Sequence, residues 1–294
     1  MIKAFRRTLS FIRHHSLASR HVFIAYLKWI GWQLKSLKRN TFFIFKFVDN
    51  TRFFAKKGLT GITGNIYAGL HEFEEMAFLL HFLNKDDVFF DIGANVGSYT
   101  ILASGVRKAK TLSFEPCGTT FDILVKNIKL NNLEALVSTI NKGVGKSNKK
   151  VSFTTNLDTI NHVVEFSNDN TTNIQLITLD SFFPAYKPSL IKIDVEGFEA
   201  EVISGASKLL LDKDLKAIII ELNGSGKIYG SEEEAVHQKL LSYGFYAHSY
   251  DPFKRLLSKL DNYGNLNTIY VRDLDFVNDR LTAAIAFQVF NEKI

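Results

Sequence analysis

The sequence predicts an α/β fold built on an open, mostly parallel sheet, and three stretches carry that prediction. The run Val88–Phe90 leads into Asp91, after which Gly93, Asn95 and Gly97 alternate with other residues and helix-permitting sequence follows from Tyr99 to Ala103. That reads as strand, tight turn, helix. A second apolar run, LSFEP from Leu112 to Pro116, ends in an acid, Glu115, 18 residues beyond Gly97. A third, Leu190 to Asp194, is a buried strand that delivers Lys192, Asp194 and Glu196 at alternate positions, so their side chains project to one side as the chain leaves the sheet. In an open parallel sheet the ligand lies beyond the carboxyl ends of the strands. Asp91, Glu115, Asp194 and Glu221 therefore converge on one rim.

The first turn is not a dinucleotide fingerprint. GxGxxG seats a pyrophosphate on a helix N-terminus, whereas DxGxNxG places a carboxylate just before the glycines, where it repels a diphosphate and suits a cationic amino-acid ligand. Gly93 and Gly97 are expected because a backbone lying against a ligand leaves no room for a Cβ, and because glycine reaches positive φ without steric cost. The N–H groups opening the next helix are expected to point at whatever fills the turn. Glu115 falls near the spacing of an acid that takes the ribose hydroxyls of an adenosine, each such charge-assisted bond contributing about 1.5–3 kcal/mol. This use of the turn resembles that of class I S-adenosylmethionine (AdoMet) methyltransferases.

The resemblance sharpens along the chain. DIGANVGSYT (91–100), FEP (114–116), TLDSF (178–182), LIKIDVEGFEAEVISGA (190–206) and IIIELN (218–223) resemble the successive blocks of the FkbM-type methyltransferases, in that family's order, over about residues 70 to 250. The resemblance implies a Rossmann-like, seven-stranded, mostly parallel sheet with helices on both faces. It further implies AdoMet as donor and O-methylation, commonly of sugar or polyketide hydroxyls, without identifying the acceptor. It places donor contacts at Asp91, Gly93, Ala94, Asn95, Gly97, Ser98, Glu115 and Pro116. Glu72 joins them, 19 residues before Asp91, where the family carries a Glu in the helix preceding the motif; a helix-capping or solvated Glu is the competing reading.

With 294 residues, 46% apolar and 22% charged, the chain suits one α/β domain plus an appendage. One cysteine, Cys117, excludes an internal disulfide. Charge is uneven: residues 1–57 hold 13 of the 36 basic residues and one of the 30 acids, Asp49, giving +12, and the remainder is −6. The predicted segments are a basic helical extension (1–57), an AdoMet-dependent methyltransferase domain (58–275) and a helical tail (276–294). In the extension, Val22, Phe23, Tyr26, Leu27, Ile30, Leu34 and Leu37 follow helical spacing among Lys28, Lys35 and Lys38. Two readings compete, a helix packed on the domain with its charges solvated and a peripheral contact with anionic membrane. No apolar run approaches the roughly 20 residues that span a bilayer, no secretory signal is evident, and no nucleic-acid module appears. The expected location is cytoplasmic, with or without membrane contact.

Other elements follow in order. The glycine-spaced stretch 58–70 reads as a boundary. HEFEEMAFLLHFL is a helix with Phe73, Met76, Ala77 and Leu80 inward, residues 119–130 form an amphipathic helix, and 131–143 supply the third strand. The loop Asn141–Gly145 is expected beside adenine, and the polar stretch 146–175 holds one strand, Val151–Thr155. A helix over Glu232–Leu241, strands over Gly244–Ser249 and Asn267–Arg272, a connection from Pro252 to Tyr263 and a helix over Leu281–Val289 complete the chain.

A hydroxyl acceptor needs a base. Asp194 and Glu196 are the candidates, since crowded carboxylates raise one another's pKa, and Lys192 tunes them or positions the acceptor. The competing reading leaves Asp194 orienting the donor and the other two holding the loop. Asp194, Glu196, Glu199 and Glu221 are hard oxygen ligands of the kind Mg²⁺ accepts, although methyl transfer does not require a metal and no His/Cys cluster suits zinc. The reading from another class is a non-catalytic scaffold held at a membrane or partner by the basic arm. A nicotinamide oxidoreductase is disfavoured by Asp91, and a base-methylating enzyme by IDVEG where an Asn/Asp-Pro-Pro-aromatic block would stand. The expected substrate is a small molecule or glycan rather than nucleic acid, and oligomeric state is open.

Overall fold

The structure, a computed structural model, describes residues 2–38, 40–154, 162–164, 170–230, 232–264 and 266–294. Eight strands form the central sheet: β1 (Val88–Ile92), β2 (Lys110–Phe114), β3 (Val137–Ile140), β4 (Leu190–Ile193), β5 (Ala217–Glu221), β6 (Tyr246–Asp251), β7 (Leu256–Lys259) and β8 (Asn267–Val271). Their order in space is β7-β6-β8-β5-β4-β1-β2-β3. The five strands β1 to β5 run parallel, β8 is antiparallel to β5 and β6, and β7 is antiparallel to β6. The sheet thus has eight strands where seven were expected. The extra strand, β7, lies in the stretch read as a connection; it pairs by backbone at an edge and is mostly exposed, so it carries no apolar run to betray it.

Period-two alternation in the inner strands fills two cores. Phe89, Leu190, Ala217 and Ile219 face one cluster, while Phe90, Ile92, Ile191, Ile193, Ile218 and Ile220 face the other. A sheet buried on both faces reads as continuous apolar runs, which is why β1, β4 and β5 were plain in the sequence. Helix α3 (Thr60–Ala68) precedes α4 (Phe73–Phe82), in which every residue from Met76 to Phe82 is buried. One inward face was expected of α4. It is enclosed all round because the helix Leu274–Ala283 packs on the side away from the sheet.

The basic extension is folded onto this body. Helix α1 (Ile2–His14) and helix α2 (Val22–Ser36) bury Ile12, Ala25 and Trp29 against Ala68 of α3, and Trp32 enters the main core. His15 Nε2 donates to the Leu70 carbonyl (2.8 Å) while its Nδ1 accepts from the Ala18 N–H (3.0 Å). The side of α2 that packs is the one bearing Ala25, Trp29 and Trp32. The helix packs on the domain, as one reading expected, but of the residues singled out by periodicity only Val22 and Tyr26 take part, while Phe23, Leu27, Ile30, Leu34 and Leu37 face outward. Among the described residues no helix is long and apolar enough to cross a membrane.

Two further stretches differ from expectation. The tail is not helical over Leu281–Val289: the helix is Leu274–Ala283, capped by the Asp273 side chain accepting from Phe276 N–H, and a short hairpin pairs Gln288–Val289 with Glu292–Lys293. Phe287, Val289 and Ile294 enter the main core, and Glu292 takes Arg20 and His21 at 2.7 Å each. The polar stretch after 142 builds a four-stranded sheet from Gly143–Val144, Lys149–Thr154, Val163–Val164 and Thr171–Ile177, where one strand was expected; position 155 of that expected strand lies outside the described residues.

Gly205, in the block shared with the family, shows how tightly the helix after β4 is set. Its φ of −90° suits any residue, yet a Cβ would fall 2.1 Å from the Gly145 carbonyl oxygen. Gly205→Ala is expected to destabilise the protein by about 1–3 kcal/mol through overpacking alone, read as a lower denaturation midpoint with an unchanged denaturant slope.

Candidate functional site

A cavity of about 290 Å³ opens beyond the carboxyl ends of β1, β2, β4 and β5. Its floor is the turn after β1. Gly93 (φ +77°) and Gly97 (φ +94°) take conformations that disfavour a side chain, but the neighbours that forbid a Cβ belong to the fold. At Gly93 the Cβ would sit 1.8 Å from the Asp194 carbonyl oxygen, and at Gly97 2.6 Å from Leu124. The glycines therefore let the β1 turn press against the β4 exit and the helix Gly118–Leu130.

The turn also satisfies itself. Gly93 and Ala94 N–H both donate to the Phe114 carbonyl (3.0 and 2.9 Å), and Asn95 N–H donates to Glu115 Oε2 (2.9 Å). These three turn amides are therefore spent inside the fold, ahead of the helix that opens at Ser98. Glu115 is clamped twice, its Oε1 accepting from Cys117 N–H at 2.9 Å. Burial pushes its carboxyl up to about 7 in spite of those two donors. Asp91 accepts from Thr100 Oγ1 through Oδ2 (2.6 Å), while its buried Oδ1 has no partner. Burial raises Asp91 as well, against the pull of Lys192 and Thr100.

Lys192 is the cation at the centre of this acidic rim. It is 3% exposed, pairs with Asp194 Oδ2 at 2.7 Å, and lies 4.7 Å from the centroid of the Tyr99 ring. Strand register sets it beside Asp91. Burial works to lower its pKa, but Asp194, Glu72 and Asp91 together raise it above an ordinary lysine. Tyr99 in turn donates to Glu72 Oε2 at 2.6 Å. Glu196, at φ +54°, is pushed up to about 7 by burial and by Asp194 and Glu199. Glu221 is raised by burial, Asp194 and Glu196, and its buried Oε2 lacks a partner. One carboxylate oxygen each from Asp194, Glu196 and Glu221 lie within 4.8 Å of one another.

The family model of the methyltransferase FkbM domain matches residues 91–246, more than half of the chain and most of this cavity's walls, with Gly61, His71, Glu72 and Met76 outside the match. The chain belongs to the FkbM methyltransferase family. The hexuronic acid methyltransferase AglP of Haloferax volcanii is 29% identical over 155 residues, 52% of this chain. The match spans 62% of that relative's length. Among solved structures, the chain is similar to a methyltransferase FkbM from Methylobacillus flagellatus, at 14% identity and a TM-score of 0.45, over 83% of this chain and 58% of that one. It is also similar to a precorrin-6y C5,15-methyltransferase from Geobacter metallireducens, at 15% identity and a TM-score of 0.40, over 68% and 87%.

Of the residues singled out in the sequence, Glu72, Asp91, Gly93, Ala94, Asn95 and Ser98 line the cavity, as do Glu115, Pro116, Lys192, Asp194, Glu196 and Glu221. Gly97 does not; it packs on Leu124. Glu199 is turned away, its Oε1 accepting from Val195 and Gly197 N–H (3.0 and 3.2 Å), and so braces the loop after β4. The loop expected beside adenine adjoins the cavity: Lys142 to Val144 line a small neighbouring hollow that shares Gly93, Pro116, Phe153 and Val195 with it, and Asn141 donates to the Glu115 carbonyl at 2.8 Å. Sequence reading missed Tyr99, which lies inside the quoted motif but carries no charge, and His71, whose buried Nδ1 has no partner.

Glu115 gives a pH signature. Folding lifts it from 4.5 to about 7, so the folded state holds this proton more tightly than the unfolded chain. Its contribution to stability is then full at and below pH 4.5 and is lost as pH rises toward 7. Without donor, the melting temperature is expected to drop over that interval, and Glu115→Gln is expected to flatten the slope whatever its effect on the absolute value. An unchanged slope would assign the titration elsewhere.

Proposed function

We propose that this chain transfers the methyl group of AdoMet to a hydroxyl of a sugar, a glycan or glycolipid, or a related small molecule. The observation that carries the reading is the buried, unpartnered Oδ1 of Asp91 at the back of the cavity, with Glu72 near the same lysine. Such an oxygen is costly to leave unpaired, and the ammonium of a bound amino-acid donor would satisfy it. Glu115, fixed by two amides, retains lone pairs for ribose hydroxyls. The name of the relative AglP, for hexuronic acid, directs acceptor choice to sugars.

AdoMet, when bound, supplies a methyl group on a sulfonium that is attacked in line. The chain's part is to hold the acceptor oxygen collinear with that group and to take its proton. Alignment of this kind is equivalent to effective molarities of about 10⁵–10⁸ M. Asp194 is tied to Lys192 and serves as the positioning carboxylate. Glu196, held near 7, has the basicity that suits proton transfer at neutral pH. A metal-assisted variant rests on the three convergent oxygens of Asp194, Glu196 and Glu221, hard ligands that fit Mg²⁺; a cation there would acidify the acceptor hydroxyl.

Calorimetric titration tests the donor site. Wild-type protein is expected to bind AdoMet and S-adenosylhomocysteine and to ignore NAD, and Asp91→Asn is expected to weaken both by about 10–100-fold, the range of one charge-assisted bond. Absence of binding by folded wild-type protein ends the reading. With labelled methyl groups and hydroxylated sugar acceptors, Glu196→Gln is expected to lower turnover by about 10²–10⁴-fold with donor affinity retained. Equal turnover by the variant would remove Glu196 as the base.

A further inference from the structure

The extension presents a surface that methyl transfer does not use. Phe23, Leu27, Ile30 and Leu34 on α2 and Leu37 just beyond it are 49–82% exposed. At about 100° per residue they fall within an arc of roughly 80°, and at 1.5 Å per residue they form a stripe roughly 20 Å long. Contiguous exposed apolar surface of this kind marks a contact site. Cations flank it: Lys38 lies exposed past the helix end, and Lys28 and Lys35 stand further round the helix, held over the Phe290 ring (4.2 Å) and the Phe45 ring (4.8 Å). Arg6, Arg7, Arg13 and Arg20 are exposed nearby in the chain.

We infer that α2 lies in the interface plane of an anionic lipid bilayer, with the Phe23–Leu37 stripe among the acyl chains and the basic residues of the extension at the headgroups. Charge selects this occupant. An extension of +12 with one acid complements an anionic surface, and a basic amphipathic helix gains from apolar burial and from attraction to such lipids together. A second copy seated stripe to stripe would set two +12 extensions against each other. A nucleic acid would be met by cations at the middle of the contact, where this helix has leucine, isoleucine and phenylalanine. The inner side of α2 is anchored through Trp29 and Trp32 and packs on α3, whose Gly61 lines the cavity. Docking through α2 therefore holds the site near the lipid surface. The inference stands apart from the reaction assigned to the cavity.

Vesicle flotation of the full chain tests it, using phosphatidylglycerol/phosphatidylcholine mixtures, pure phosphatidylcholine, and low and high salt. Wild-type protein is expected to partition onto the anionic vesicles at least tenfold better than onto neutral ones, and less so in high salt. Leu27→Ser/Leu34→Ser is expected to lose binding at least tenfold with an unchanged melting temperature, because both side chains already face solvent. Lys35→Glu/Lys38→Glu is expected to abolish the preference for anionic lipid. Failure to partition, unchanged partition of the leucine variant, or equal binding to neutral vesicles overturns the inference. So does a dimer, or binding to an oligonucleotide, that the leucine variant abolishes while vesicles are ignored.

Discussion

The buried Lys192 ammonium is the interaction on which the site depends. The carboxyl groups of Glu72, Glu75, Asp91, Asp194, Glu196 and Glu221 all act on it or feel it, and among the described residues Asp194 is the one that makes a direct ion pair with it. A buried charge without a partner costs several kcal/mol, so lysine and acids exist here only together. The consequence is graded basicity. Asp194 is consumed in the pair, whereas Glu196 and Glu221 feel their neighbours' charge with less compensation and are pushed up. The end of β4 thus supplies the cation at position 192 and the fixed carboxylate at 194, and the turn that follows, with Glu196 at φ +54°, brings in the proposed proton acceptor.

Rigidity in the first turn comes from the same packing. Because the β1 turn closes its own amide hydrogen bonds and leans on the Asp194 carbonyl, the cavity walls formed by the β1 turn and by the β4 exit are one continuous surface rather than two loops that must be brought together. Tyr99 extends it, touching Lys192 with its ring and Glu72 with its hydroxyl.

Much of this was legible in the sequence because it rests on local pattern. Doubly buried strands such as β4 and β5 are unbroken apolar runs, and acids at strand ends are visible by position. What escaped notice depends on contacts between distant segments. The four-stranded sheet after β3 has only short apolar alternations, Val151–Phe153 and Ile174–Leu176, set among Lys, Ser, Thr, Asn and Gln, and its strands are completed by pairing between segments distant in the chain. Glu199 is as acidic as Glu196, and only the fold shows one bracing the loop and the other lining the cavity. The periodicity of α2 was real, but apolar spacing does not say which side of a helix is covered: Trp29 and Trp32 with Ala25 took the inner side. The purpose of Gly93 was likewise hidden, since the atom that excludes its side chain comes from residue 194.

The hairpin near residue 290 fastens the extension from the far end of the chain. Glu292 holds Arg20 and His21, Gln288 N–H donates to Asp49 at 2.8 Å, and Lys28 rests over Phe290. During synthesis, these partners leave the ribosome some 270 residues after Arg20, in line with the 272-residue separation of the Arg20–Glu292 bond. The helices of the extension, made well before their hairpin partners, are locked late, and until then the surfaces that the hairpin covers are available to chaperones and to any lipid nearby.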